Sequence, residues 1–356
     1  MRSIMPVKGR LLTPTKVLVT LLMLAAFFLP APFVILSPGD PQNILGSAIT
    51  ITGTKVYPTS GKLSVTSVMV TDPDSYITGF DILYGWVDKD RAVIPRSEVY
   101  PEGETAEQAV EEGAAEMSGS QINATAAALS YLGYKSASKI VVLDINKSSN
   151  AYKAIEVSDQ LLSIDDRTVK SSSELIAYLG DKKPGDLVTI KVIRAGLGVL
   201  TKSIKLSARE DNSAFIGINI EEQFDFPFDV KIKLEETGGP SGGLIFALGV
   251  VEKLTPENLV RSRNIAGTGT ITTDGRVGPI GGIAEKIIGA QADGVEIFLT
   301  PTENCMDIKN LKALAKQKSG NSGKVMKIVP VATLAEAISL LELPDNAKFP
   351  SCQSFT

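Results

Sequence analysis

The sequence predicts a chain of mixed α/β class, in which a single N-terminal transmembrane helix precedes a small β-rich module and a larger α/β domain. Three observations carry this prediction. Residues 17–37 contain no charged side chain, strand-like segments follow one another closely from Lys139, and strands alternate with helices from Ser213. About 20 apolar residues cross a bilayer as a helix, and alternating strands and helices are typical of α/β domains.

The N-terminal segment predicts where the chain lies. Residues 1–16 carry basic side chains and no acidic one, and basic segments stay on the cytoplasmic side of a membrane. We therefore expect a single-pass protein of the cell membrane, with its folded parts on the extracytoplasmic side. A cleaved signal peptide is the alternative, because Pro30 and Pro32 interrupt the apolar run. Either interpretation exports the rest of the chain.

Composition excludes several kinds of site. The 356 residues include no histidine, which excludes Ser-His-Asp and Cys-His catalysis and any metal site with histidine ligands. Cys305 and Cys352 lack the spacing of a zinc site, so neither a metal nor a cofactor is expected. In an oxidising compartment these cysteines could form a disulfide, and two free thiols remain the alternative. The net charge of -4 favours a protein or peptide partner over nucleic acid.

The remaining chain divides into four predicted parts. Short antiparallel strands and a helix over 105–131 are predicted within an exported N-terminal region, residues 38–134. The β-rich module is placed at 135–210 and the α/β domain at 211–345. A loose tail is expected at 346–356.

The module begins with the strand-like segment "KIVVLDI" and ends with "VIRAG". It resembles a PDZ domain of the kind found in bacterial proteases, with Ser158 and Asp159 at the positions where those domains usually carry Gly-Asp. PDZ domains bind a peptide as an added strand and hold its terminal carboxylate in a backbone nest. The resemblance implies a carboxylate loop near "GYKSASK", residues 133–139, although of the usual pattern this segment has only Gly133.

A glycine-rich segment, "TGGPSGGL" at residues 237–244, places one serine before an apolar helix. Ser241 is either a nucleophile or the N-cap of that helix. Pro240 restricts the backbone before the serine, while Gly239 and Gly242 permit a tight turn. A serine hydroxyl needs a neighbouring base, and without histidine the usual substitute is a neutral lysine amine.

Lys286 is the candidate base. It lies in "GGIAEKIIGAQADG", where Ile283 and Ile287 belong to an apolar helical face around it. A free lysine has a pKa of about 10.4, so activity near neutral pH requires burial to lower that pKa by roughly 3 units. The alternative is an ordinary exposed lysine on an amphipathic helix.

The segments "GGPSGG" and "TGTITTDGRVGPIGGIAEKIIGA" together resemble the proteolytic domain of the Lon peptidases. This resemblance implies a Ser-Lys dyad, with Ser241 as the nucleophile and Lys286 as the base. It also implies that the hydroxyl of Thr268 orients the lysine. Lon-type domains often form rings, so the resemblance further implies a homo-oligomer.

The sequence departs from the ATP-dependent Lon enzymes in two ways. It contains no G-x-x-x-x-G-K-[ST] motif for binding nucleotide phosphates, and Gly238 stands where those enzymes often have an acidic residue. The layout resembles the ATP-independent, PDZ-containing Lon-like membrane proteins of bacteria. It implies a serine endopeptidase that acts on exported or unfolded proteins. The alternative is a PDZ-type peptide-binding adaptor whose Lon-like domain is catalytically inactive.

Overall fold

Helices and strands alternate along the computed structural model, which describes residues 13–209, 212–234, 238–310, 325–344 and 346–352. The helices are α1 (Pro14–Phe27), α2 (Gly79–Val87), α3 (Ala106–Tyr131), α4 (Ser172–Gly180), α5 (Gly243–Leu254), α6 (Ile283–Ala292), α7 (Cys305–Asn310) and α8 (Leu334–Glu342). The strands are β1 (Phe33–Pro38), β2 (Gln42–Asn43), β3 (Ile49–Thr52), β4 (Lys62–Val65), β5 (Val68–Val70), β6 (Ala92–Pro95), β7 (Ala137–Ile145), β8 (Gln160–Ile164), β9 (Arg167–Thr168), β10 (Leu187–Arg194), β11 (Gly198–Lys205), β12 (Ser207–Ala208), β13 (Ala214–Phe215), β14 (Ile218–Asp225), β15 (Asp229–Ile232), β16 (Asn264–Gly267), β17 (Thr270–Ile271), β18 (Val277–Gly278), β19 (Ile297–Pro301) and β20 (Lys327–Val331).

The N-terminal helix is shorter than the sequence predicts. α1 ends at Phe27, and the later part of the span 17–37 forms β1, which begins at Phe33. Pro30 and Pro32 explain this change, because proline donates no backbone hydrogen bond and disfavours a helical residue before it. The prediction of one helix over 17–37 is therefore wrong in its extent. Among the described residues, we find no helix that is both long and apolar enough to cross a membrane.

β1 is the central strand of a small antiparallel sheet in the order β5-β1-β6. Ile35 of β1 is buried against Ile77 and Ile82, which lie before and within α2. This packing fixes α2 on the sheet and leaves β5 at its edge.

The helix predicted for residues 105–131 is confirmed as α3. Its N-cap is Thr105, whose hydroxyl accepts a hydrogen bond from the backbone of Gln108, while the Gln108 side chain accepts one from the Thr105 backbone. This reciprocal capping box satisfies two backbone donors at the helix start. The C-terminal half of α3 is buried, including Ala124 and Leu129, and it packs against α5.

One hydrophobic core joins residues 38–134 to residues of the predicted C-terminal domain. Leu63 of β4 is buried in the same cluster as Phe246 of α5 and Val329 of β20. β4 also pairs in parallel with β16. A shared core and a shared sheet are properties of a single domain, so these two stretches pack as one unit. The other domain boundaries stay predictions.

The C-terminal domain has a sheet in the order β2-β4-β16-β19-β20, in which β4, β16, β19 and β20 run parallel. Alternate residues of β19 face different clusters. Ile297 and Leu299 pack with α5 and α8, whereas Phe298 packs with Ile287 of α6. Because side chains alternate across a strand, the sheet lies between helices on both of its faces, as expected for an α/β domain.

The β-rich module forms a second sheet in the order β11-β10-β8-β7-β14, with β9 paired to β8. Its core contains Ile140, Leu161 and Val192 from the strands and Leu175 from α4. Strand, strand pair, helix and strand follow one another as the sequence predicts. β14 lies beyond the predicted end of the module at residue 210 and joins its sheet beside β7.

Ser158 adopts the backbone conformation of a glycine. Its φ is +72°, and its N–H donates to the carbonyl of Val142 over 2.7 Å. Asp159 beside it is buried, and Arg194 donates to its two carboxylate oxygens over 2.8 and 2.7 Å. Burial alone would raise the pKa of Asp159, but the hydrogen bonds from Arg194 and from the Glu156 backbone lower it overall. The pair at 158–159 therefore has the geometry that favours Gly-Asp.

Replacing Ser158 with glycine is expected to stabilise the protein by about 0.5 to 1 kcal/mol, because a side chain is strained at positive φ and this gain exceeds the entropy that glycine loses. Urea denaturation of both proteins measures the difference. Ser138→Gly is the matched control, since Ser138 lies in extended strand β7, where glycine destabilises. Equal stability losses in both variants would contradict this explanation of Ser158.

The C-terminal segment is attached to the domain. Cys305 and Cys352 form a disulfide, which decides between the two alternatives left by the sequence. Both cysteines are buried, and Phe349 packs against the large core. The prediction of a loose tail over 346–356 is therefore wrong as far as Cys352, because the disulfide and the aromatic contact hold it. Residues 353–356 lie outside the described residues.

Candidate active site

The glycine-rich turn before Ser241 is held by α3. The N–H of Gly239, whose φ is +85°, donates to the carbonyl of Gly113 over 2.9 Å. A Cβ atom on Gly238 would lie 3.1 Å from the Gly113 Cα atom, so two backbones meet where side chains would separate them. The hydroxyl of Ser120 donates to the carbonyl of Pro240 over 2.9 Å. α3 therefore fixes the residues that precede the serine.

Ser241 is not the N-cap of α5. That position belongs to Gly242, and no side chain caps the helix there. A Cβ atom on Gly242 would lie 2.7 Å from the ring of Phe246, so the position requires glycine. The hydroxyl of Ser241 is directed to another partner, and the N-cap alternative is wrong.

That partner is Lys286. Its Nζ atom lies 2.7 Å from the Oγ atom of Ser241 and 3.1 Å from the Oγ1 atom of Thr268. α6 carries Lys286 and begins after Gly282, whose φ is +66°. A Cβ atom on Gly282 would lie 2.7 Å from Val68, so glycine permits the close approach that brings α6 to the serine. The structure brings together the three side chains singled out in the sequence.

Lys286 is buried, with 4% of its surface exposed. Burial lowers the pKa of Lys286 from 10.5 to about 8, because an apolar environment disfavours the charged ammonium. Ile283 and Ile287 on the same helix are buried with it. Near neutral pH a fraction of such lysines is neutral and can accept the proton of Ser241. The alternative of an exposed lysine with an ordinary pKa is wrong.

Thr268 connects the lysine to the turn. It lies between β16 and β17 and is fully buried. Its hydroxyl donates to the carbonyl of Ser241 over 3.1 Å and accepts from Lys286. The neighbouring Gly269 N–H donates to the same Ser241 carbonyl over 2.7 Å. These contacts hold the amine and the serine backbone in one geometry.

The dyad opens onto a cleft of about 1260 Å³. Edge strand β5 lies along one side of this cleft, and Met117 of α3 and Gly281 contribute to its lining. The cleft is larger than most small-molecule sites, which enclose about 300 to 1,000 Å³. An extended polypeptide beside a strand edge fits this shape better than a small ligand does.

Sequence reasoning missed the contribution of α3. Gly113, Met117 and Ser120 all lie at the site, although they are far from Ser241 in the chain. The small residues at 113 and 120 are the signal that was available, because glycine and serine are poor choices for a helix interior unless something packs closely there. The spacing of these residues in the sequence does not show which segment they contact, because that depends on the tertiary structure.

The family comparisons match two domains in this chain. Residues 198–341 match the model of the Lon protease (S16) C-terminal proteolytic domain. A Lon-type proteolytic domain is therefore found in this part of the chain. Residues 117–206 match the model of the PDZ domain, so the predicted combination of a PDZ domain with a Lon domain is confirmed. The two matches overlap at β11, which the structure places in the PDZ sheet.

Curated relatives are Lon proteases. The Lon protease of Rhizobium meliloti (strain 1021) is 32% identical over 178 residues, which cover 45% of this chain and 21% of that protein. Lon protease 1 of Bacillus subtilis (strain 168) is 34% identical over 142 residues, covering 36% of this chain and 18% of that protein. The chain thus spans about a fifth of the length of these relatives.

Among solved structures, two PDZ domains of SdrC-like proteins are similar to this chain. The domain from Listeria monocytogenes is 30% identical and covers 23% of this chain and 85% of its own, with a TM-score of 0.22. The domain from Listeria innocua is 33% identical and covers 23% of this chain and 93% of its own, also with a TM-score of 0.22.

Proposed function

We propose that this protein is an ATP-independent serine endopeptidase that cleaves unfolded polypeptides with a Ser241–Lys286 dyad. The contact of 2.7 Å between the lysine Nζ and serine Oγ atoms, inside a Lon domain, carries this proposal. An exposed lysine with an ordinary pKa would have favoured the adaptor alternative, whereas Lys286 is buried and its pKa is lowered.

The reaction needs one proton carrier. The Oγ atom of Ser241 attacks the scissile carbonyl carbon as its proton passes to the neutral amine of Lys286. When the C–N bond breaks, Lys286 returns that proton to the leaving amine, and an ester remains on Ser241. A water molecule then attacks the ester while Lys286 takes its proton, and the proton finally returns to the Ser241 oxygen. We expect backbone N–H groups of the turn around Ser241 to stabilise the oxyanion.

The rate of cleavage is expected to rise with pH and level off near pH 8. Only the neutral form of Lys286 accepts the serine proton, and its pKa is about 8. Below that value kcat/KM should fall about tenfold for each pH unit. Initial rates on a fluorogenic peptide from pH 5.5 to 9.5 measure this profile. A rate independent of pH over that range would exclude Lys286 as the base.

Independence from ATP and preference for unfolded substrates follow from one absence. The sequence contains no G-x-x-x-x-G-K-[ST] motif, so the chain itself offers no phosphate-binding loop for an unfolding motor. We therefore expect the purified protein to degrade casein equally with and without ATP and to leave folded lysozyme intact. Ser130→Ala is the control for the Ser241→Ala variant, because Ser130 is exposed on α3, and it should leave casein cleavage unchanged. Failure of the unmodified chain to cleave casein would refute the proposed activity.

Membrane attachment and an extracytoplasmic position also belong to this proposal. Large apolar side chains of α1 are exposed, including Leu18 at 57% and Leu22 at 61%, and such a surface favours a lipid environment over water. The disulfide between Cys305 and Cys352 fits an oxidising compartment. Carbonate extraction of cell membranes tests the attachment: the unmodified chain should remain in the membrane pellet, and Leu18→Lys/Leu22→Lys should be released.

A homo-oligomer completes the proposal, on the ground that Lon-type domains often form rings. Light scattering of the detergent-purified chain measures its mass. A mass equal to one chain would refute this part without affecting the proposed chemistry.

A further inference from the structure

β14 occupies the outer edge of β7 in the PDZ sheet. The two strands are antiparallel, with facing pairs from Ile218 and Ile145 at one end to Asp225 and Ala137 at the other. An external peptide that binds a PDZ domain adds itself as a strand to an open edge. In this chain, that edge of β7 is already paired.

The position of α4 beside the outer edge of β7 identifies the space between them as the peptide-binding groove of the PDZ domain. The backbone N–H of Ser172, at the start of α4, donates to the side chain of Glu222 on β14. Ile218 and Ile220 of β14 pack against the core of the module. β14 therefore fills the space between β7 and α4 with alternate side chains, as a bound peptide would.

The direction of β14 also agrees with that of a bound peptide. Its C-terminal end pairs with Ala137, within the segment 133–139 where the resemblance places the carboxylate loop. Just after β14, Phe228 packs edge-on against Tyr134 of this segment, with ring centroids 5.2 Å apart. A peptide that ends where β14 ends would present its terminal carboxylate to the same segment.

We propose that β14 is a built-in occupant of the PDZ groove and that peptides with a free C-terminus and alternating aliphatic side chains compete with it. A cavity of about 340 Å³ lies along β14, lined by Ile220, Glu221 and Glu222 together with residues of α3. The cavity leaves this flank of β14 without close packing against α3.

Displacement of β14 from β7 would change the packing that supports the Ser241–Lys286 dyad. Phe226 and Phe228 follow β14 directly and pack against the core that contains α5. The chain then forms β15, which pairs with β3, and continues to the turn that bears Ser241. Peptide binding to the PDZ domain therefore alters the support of the nucleophile. This last step rests on the proposed peptidase function, whereas the competition for the groove does not.

The competition is tested with a fluorescent peptide of residues 214–225, AFIGINIEEQFD, with a free carboxylate. Binding is measured by anisotropy on the full chain carrying Ser241→Ala, so that the result is independent of cleavage. Adding Ile220→Ser loosens β14, and the peptide is expected to bind about tenfold more tightly. Val199→Ser, on the opposite edge strand β11, is the matched control and should leave the affinity unchanged. Equal affinities for the Ile220→Ser variant and its parent would overturn the proposal.

A crosslink provides the opposite perturbation. Gln223 of β14 faces Lys139 of β7, so a disulfide between cysteines at these positions should hold β14 in the groove and reduce peptide binding at least about tenfold. Lys139→Cys alone is the control. Peptide affinity that survives the crosslink would also overturn the proposal.

Coupling to the dyad is measured separately with the unmodified Ser241. Adding the peptide to the Ile220→Ser chain is expected to change the casein cleavage rate at least about twofold, with half of the change at the Kd from anisotropy. An unchanged rate at saturating peptide would refute the coupling and leave the competition intact. A chain that never cleaves casein refutes the proposed function instead, whatever the binding results are.

Discussion

Peptide hydrolysis is expected to fall about ten-thousandfold or more when Ser241 is replaced by alanine, and equally when Lys286 is replaced by methionine. Ser241→Ala removes the atom that forms the bond to the substrate, and Lys286→Met removes the group that carries the proton. The two side chains act as one unit, because the Lys286 Nζ atom lies 2.7 Å from the Ser241 Oγ atom. The double variant should therefore be no slower than either single variant. Initial rates on casein and on a fluorogenic peptide measure all three.

Thr268→Val separates chemistry from positioning. Valine keeps the shape of the side chain and removes the hydroxyl that contacts both the amine and the Ser241 carbonyl. We expect a loss of about 10 to 100-fold, mainly in kcat, because a misplaced base still accepts protons.

If Lys286→Met retained more than a tenth of the activity, another group would have to be the base, and the assignment of the dyad would be wrong.

Lys286→Met is expected to make the protein more stable at neutral pH even as it removes activity. Lowering the lysine pKa from 10.5 to about 8 corresponds to about 3 kcal/mol of unfavourable interaction with the charged form. The substitution also removes the hydrogen bonds from Lys286 to Ser241 and Thr268, which offsets about 1 kcal/mol of the gain in stability. The expected net gain is about 2 kcal/mol in the free energy of unfolding.

The gain should depend on pH in a defined direction. Below pH 8 both the folded and the unfolded lysine are protonated, so the full penalty for burying the charge is present in the unmodified protein. Between pH 8 and 10.5 the unfolded state binds more protons, so the unmodified protein becomes more stable as pH rises. Urea denaturation of both proteins at pH 7 and pH 10 should show the difference shrinking, with Lys89→Met, an exposed lysine, as control. A Lys286→Met protein that is less stable at pH 7 would contradict the burial argument.

The dyad could be predicted from sequence because its evidence is local. Ser241 sits on a turn of glycines and a proline, and Lys286 lies on an apolar helical face, so each carries its own pattern. The absence of histidine then left lysine as the usual base. The fold class of the C-terminal domain was predictable for a similar reason, since alternating strands and helices are visible at short range.

The errors occurred where distant segments compete for the same residues. Pro30 and Pro32 interrupt the apolar run, but the pairing of β1 with β5 and β6 turns its second half into a strand. The separation of residues 38–134 from the C-terminal domain did not hold, because β4 pairs with β16 in the same sheet. Neither strand pairing can be recognised from the residues of β1 or β4 alone.

The sequence by itself determined the candidate chemistry: a serine, a lysine and a threonine in recognisable motifs, with no histidine available. The tertiary structure alone decided how that chemistry is supported, by bringing α3 against the glycine turn, closing the disulfide to Cys352 and laying β14 along β7. The physical reason is that residue types and turn geometry act over a few positions, whereas burial, which lowers the lysine pKa, and strand pairing depend on which distant surfaces meet.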